Sequence, residues 1–188
     1  MGRSLRTVPV YALGELGIGL GLAWLVSYRN RSAVDFRLVL LGSILPDLID
    51  KPLGAILHLE ARLWAHSLVF LAAILVLSLL PALRGLRWVG FGDAVHLLVD
   101  LIWGQPQVML WPLLGLAFPA ETAPQSVGSY LQILLTDPYV QFGEIVGGII
   151  LVVTLWHYRL YAWPTLKRFL KDGRLTEPEG ARETAATP

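Results

Sequence analysis

Between Gly42 and Trp111 an otherwise apolar sequence is interrupted by three short polar words, Leu45-Pro46-Asp47-Leu48-Ile49-Asp50, Arg62-Leu63-Trp64-Ala65-His66-Ser67 and His96-Leu97-Leu98-Val99-Asp100. An ionisable side chain in hydrocarbon costs about 2.5–3.5 kcal/mol on insertion scales, so such groups must face one another or a polar cavity. Hydrocarbon is the relevant solvent because only 15% of the residues are charged, 55% are hydrophobic and the mean hydropathy is +0.59. An average soluble domain carries roughly 25% charged residues. The chain therefore reads as an all-α, polytopic helical membrane protein.

The apolar runs set the expected elements. Val8 to Ser27 has about the 20 residues needed to cross a bilayer, carries Glu15 and lacks a small-x-small cleavage pattern, so it reads as a span and not a leader. Phe36 to Ile49 reads as a short helix ended by Pro46, followed by a polar connection from Lys51 to Trp64. Ala65 to Leu83 is expected to span, Trp88 to Trp103 to form the next helix, and Val108 to Phe118, broken by Pro112, to be re-entrant or interfacial. Glu121 to Ser129 reads as a loop and Tyr139 to Ala162 as the last span. The expectation is a bundle of about five membrane segments. Residues 1–171 would form one domain, and 172–188 a disordered polar tail.

Basic residues set an orientation. Arg29, Arg31, Arg37, Arg84, Arg87 and the cluster from Arg159 to Arg174 fall on one side, and Arg3, Arg6, Lys51 and Arg62 on the other. This places the C-terminus in the cytoplasm and the N-terminus outside. A formal net charge of +1 without a basic stripe gives no case for nucleic acid. Gly14, Gly17 and Gly21, and later Gly143, Gly147 and Gly148, offer small-residue faces for packing within one chain or between copies in an oligomer.

With that topology the polar residues share a depth near the outer face. His96 and Asp100, four apart, lie on one helix face, and Asp47 and Asp50, three apart, on another. His66 begins the third segment, Glu144 lies near the start of the last and Glu15 lies two turns into the first. The chain has no Cys, so a metal would rest on His and carboxylate alone. Asp47, Asp50, His66, His96 and Asp100 are the candidate ligands, a set suited to Zn²⁺, with Mn²⁺ or Fe²⁺ as alternatives and one or two ions. One of these carboxylates, Glu144 or Glu15 would serve as base, and Arg62 would stabilise developing negative charge or bind a substrate phosphate or carboxylate. Asp93 reads as an acidic group favouring the start of its helix.

At these words the sequence resembles the YdjM-type family of bacterial and archaeal membrane-bound proteins described as metal-dependent hydrolases. The likeness runs from Gly42-Ser43-Ile44-Leu45-Pro46-Asp47 and Asp50, through Arg62 and His66-Ser67, to His96-Leu97-Leu98-Val99-Asp100, Gly104 and Trp111-Pro112. Two histidines of the family are absent here, one in the first helix and one before Arg62, where Ala61 stands, so the chain either uses Glu15 and His58 instead or binds fewer metals. The resemblance implies a metal-dependent hydrolase. The depth of the site points to membrane lipids, or another amphiphilic ester or phosphoester, as substrate. The same residues also suit an intramembrane cation or proton transporter, or a metal that only ties helices together.

Overall fold

Glycine contacts decide how the helices pair. In the computed structural model, which describes residues 12–30, 33–59, 61–118 and 127–176, the regular elements are helical: α1 Ala12–Asn30, α2 Phe36–Leu57, α3 Leu68–Leu77, α4 Leu86–Val99, α5 Pro106–Met109, α6 Val127–Thr136, α7 Pro138–His157 and α8 Trp163–Asp172. A Cβ on Gly42 would collide with the Val89 backbone, and one on Gly92 with the Val39 carbonyl and Ser43 amide, so α2 and α4 pack backbone to backbone. Gly17 meets Gly147 in the same way, bringing α1 against α7 within one chain. Helix α1 also packs on α2, and α3 on α4.

The second segment is longer than expected. Helix α2 runs through both Pro46 and Pro52 to Leu57, where His58 caps it in the left-handed conformation with its N–H on the Gly54 carbonyl. Each proline removes only its own donor. The Lys51 ammonium pairs with the Asp47 carboxylate one turn earlier and spans the interrupted stretch. The expected polar connection is thus helical over its first half.

The third segment is shorter than expected. Ala65 to Leu83 resolves into a 3-10 turn Trp64–His66, the ten-residue α3 and a second 3-10 turn Pro81–Leu83. The Ser78 hydroxyl bonds back to the Leu75 carbonyl at 2.6 Å, and Pro81 cannot continue a helical ladder. Ten residues rise only about 15 Å, half a hydrocarbon core. Helix α4 ends before Asp100, because Leu101 turns left-handed, and a further 3-10 turn, Ile102–Gly104, leads to α5. The region read as a loop contributes the start of α6. Among the described residues, α7 alone is long and apolar enough by composition to cross a bilayer.

Polarity is inverted relative to a water-soluble domain. Glu15, Asp50, Arg62, His66, Asp93, His96 and Asp100 are buried, whereas Phe142, Ile145, Ile149, Val152, Val153 and Trp156 of α7 and Val69, Leu75 and Val76 of α3 are exposed. Such an extensive apolar exterior fits lipid contact. Sequence reasoning had not assigned α8, which folds back and packs Phe169 with Phe36, Leu20 and Tyr158. Arg37 Nη1 donates to the Leu170 and Lys171 carbonyls at 2.7 and 2.9 Å, and the Phe36 amide donates to the Gly173 carbonyl at 2.8 Å. A cation at these last carbonyls also complements the α8 dipole. Asp35 caps the start of α2, accepting from the Arg37 and Leu38 amides. Of the expected tail, Asp172 closes α8 and Leu175 packs on this core, while 177–188 lie outside the described residues.

Candidate metal centre

At the end of the bundle opposite α8, five elements bring polar groups together. The second half of α2 supplies Asp47 and Asp50, the turn before α3 His66, the end of α4 His96 and Asp100, the beginning of α1 Glu15, and the irregular segment leading into the turn Arg62. Both imidazoles are wholly buried.

Each ring is anchored through Nδ1. His66 Nδ1 lies 2.7 Å from Asp50 Oδ2, and His96 Nδ1 lies 2.9 Å from the Ser43 carbonyl oxygen. A carbonyl only accepts, so His96 Nδ1 carries its proton. Asp50 is likewise an acceptor, receiving the Leu63, Ala65 and His66 backbone amides at 2.7, 3.3 and 3.2 Å. Both Nε2 atoms are then bare in the neutral rings. They face each other at 3.2 Å, two acceptors with no proton to share.

Carboxylates complete the cluster. Asp47 Oδ1 lies 3.5 Å from His66 Nε2, and Asp100 Oδ2 lies 3.7 and 3.9 Å from the Nε2 atoms of His66 and His96. Nitrogen and oxygen ligands about 2.0–2.1 Å from a tetrahedral ion stand about 3.4 Å apart. The observed 3.2–3.9 Å spacing therefore fits a metal, and a cation is what opposing lone pairs and two anionic oxygens require. Asp47, His66 and His96 form one possible ligand group and Glu15, His96 and Asp100 a second, each with its atoms within 4.8 Å of one another.

The remaining sequence candidates fall into distinct places. Asp50 sits behind His66, with four donors on its two oxygens, in the position of a carboxylate that orients a metal-binding imidazole. Glu15 is buried, with Oε2 3.4 Å from His96 Nδ1. Arg62 donates from Nε to Asp100 Oδ2 at 2.7 Å. Glu144 lies apart, its Oε1 accepting the Gly14 amide at 2.7 Å. His58 is an exposed cap. Asp93 does not stand at the start of its helix: it lies mid-α4, fully buried, and neither oxygen has a hydrogen-bond partner. Sequence reasoning missed the Ser43 carbonyl and the Asp47–Lys51 pair. A backbone acceptor leaves no signature in residue identities, but the i,i+4 spacing of the pair was visible.

A family model described as "YdjM inner membrane protein" matches residues 12–168. No curated protein matches the chain, and no solved structure does.

Proposed function

This chain belongs to the YdjM family of inner membrane proteins, and from that membership and the cluster geometry we propose that it is a polytopic, metal-dependent membrane hydrolase. The observation that carries the proposal is the pair of bare Nε2 atoms 3.2 Å apart, flanked by the oxygens of Asp47 and Asp100. His66, His96, Asp47 and Asp100 would hold a divalent ion, and a donor set of two nitrogens and two oxygens favours zinc over Mg²⁺. When bound, such an ion supplies Lewis acidity to a substrate oxygen and lowers the pKa of water to about 7.

The protein's own groups do the rest. Asp50 and the Ser43 carbonyl hold the two rings in the tautomer that points Nε2 inward. Glu15, buried beside His96, takes the proton of the attacking water. The buried Arg62 guanidinium stabilises negative charge as it develops. An apolar exterior around a polar interior suits an amphiphilic ester or phosphoester arriving from the bilayer. With basic α8 in the cytoplasm, the cluster faces the extracytoplasmic leaflet.

Elemental analysis of detergent-purified protein beside His66→Ala and Asp100→Ala tests the proposal. One equivalent of a transition metal, depleted in both variants, is expected, together with metal-dependent turnover of lipid esters or phosphoesters that His66→Ala abolishes. Absence of metal under replete conditions, or equal turnover by His66→Ala, would refute it. A proton- or cation-transport reading has one observation in its favour, the partnerless Asp93 one turn from His96. Uptake into sealed vesicles that Asp93→Ala abolishes would favour that reading.

A further inference from the structure

Arg62 restricts what the site can accept. The residue is only 7% exposed, its Nε is spent on Asp100 Oδ2, and its Nη2 is buried with no hydrogen-bond partner. A guanidinium cannot shed its charge, so an unmatched buried N–H edge carries a desolvation cost until an acceptor meets it. Asp100 Oδ2, which accepts the neighbouring Nε–H, faces both imidazole Nε2 atoms. An acceptor on Nη2 would therefore lie beside the proposed ligands.

We propose that the open Nη2 edge of Arg62 receives an anionic phosphoryl oxygen, making the substrate a phosphate ester and not a neutral carboxylic ester; this rests on the hydrolase reading above. A carboxylic ester becomes anionic only in its transition state, and its ground state would leave the charged edge facing a weak acceptor. A phosphoryl group brings formal negative charge from the moment it binds, and its oxygens match the planar guanidinium. In the reaction the water oxygen bonds to phosphorus, and the bond from phosphorus to the ester oxygen breaks with its electron pair left on that oxygen. The proton taken by Glu15 passes to it, giving an alcohol and a phosphate. The phosphoryl group can belong to a lipid headgroup or to a soluble molecule.

Titration of full-length, metal-loaded protein with hexadecylphosphonate, inorganic phosphate and the neutral ester hexadecyl acetate tests this without requiring turnover. Arg62→Gln, measured at saturating metal with occupancy determined in parallel, is expected to weaken hexadecylphosphonate binding about 10- to 100-fold, the range of one charge-assisted hydrogen bond. Tight binding of hexadecylphosphonate alone would identify a lipid source, and equal competition by inorganic phosphate a soluble one; either result supports the proposal. Unchanged affinity in Arg62→Gln would overturn it. Should Arg62→Gln not fold, Arg62→Lys keeps a charge without the planar fork and is expected to bind about tenfold more weakly; unchanged affinity there would likewise overturn the proposal. Turnover of hexadecyl acetate but not of hexadecyl phosphate would refute the phosphoryl assignment and leave the hydrolase reading standing. Arg62-dependent phosphonate binding without turnover of either would do the reverse.

Discussion

Asp50→Asn separates a metal ligand from a group that orients one. Asp50 Oδ2 takes the Leu63 amide, the His66 amide and His66 Nδ1, while Oδ1 takes only the Ala65 amide at 3.3 Å. An asparagine with its amide oxygen in the Oδ2 position keeps three of these bonds and sets its NH₂ against the Ala65 N–H. One buried donor is then unmatched, which costs the metal-free protein about 1–3 kcal/mol. Replacing the charged acceptor behind His66 with a neutral one lowers metal affinity about 10- to 100-fold, equivalent to about 1.4–2.8 kcal/mol. Chelator competition gives the affinity, and thermal denaturation in detergent, with and without metal, gives the stability. His66→Ala, which removes a proposed ligand, is expected to lose binding altogether. If Asp50→Asn also loses all binding, Asp50 is itself a ligand and the tautomer argument is wrong. If it binds as tightly as wild type, Asp50 only anchors the turn before α3.

Other expectations follow from single contacts. Gly42→Val drives a Cβ into the Val89 backbone and is expected to cost about 1–3 kcal/mol or to prevent folding, whereas Gly148→Ala, whose nearest neighbour lies 4.0 Å away, leaves the melting temperature unchanged or raised. Burial pushes the Asp35 carboxyl up, but the hydrogen bond and charge of Arg37 and the Leu38 and Arg37 amides outweigh it and hold the group below the usual carboxylate range. Its contribution is therefore present above the unfolded pKa of about 4 and disappears as pH falls through the lower folded value. Asp35→Asn should destabilise at pH 7 and progressively less as pH falls below about 4; an effect that does not shrink on acidification would exclude the charge as the cause. Glu144→Gln keeps an acceptor for the Gly14 amide and is expected to retain metal, activity and stability within about 0.5 kcal/mol. Loss of activity alone would make Glu144 the base.

The sequence carried the membrane character and the chemistry of the polar layer better than the lengths of its elements. His66, His96, Asp47 and Asp100 are conspicuous because hydrocarbon leaves so few alternatives for such side chains, and they meet at one end of the structure. Element boundaries were less legible because hydropathy reports where apolar residues lie and not where the backbone ladder stops. Pro46 and Pro52 sit inside α2, while Ser78, an unremarkable residue in an apolar run, ends α3. The α8 helix was hidden for a related reason: Trp163, Leu166, Phe169 and Leu170 are too sparse among Lys167, Arg168 and Lys171 to register as a span, although their spacing marks an amphipathic face. The distinct positions of Asp50 and Glu144 depend on which amides they meet, and these contacts exist only after folding.

The clasp between Gly173 and Phe36 gives the chain a direction of assembly. The α2–α4 pair and the turn carrying His66 precede α7 and α8 in the order of synthesis, so the polar centre can gather before them. The Gly17 face of α1, by contrast, must wait for α7, and the first amide of α2 waits for the carbonyl of Gly173. A nascent chain interrupted before α7 would carry the ingredients of its centre in an unsealed bundle, with the Phe36 edge and the Gly17 face open to whatever helix reaches them first.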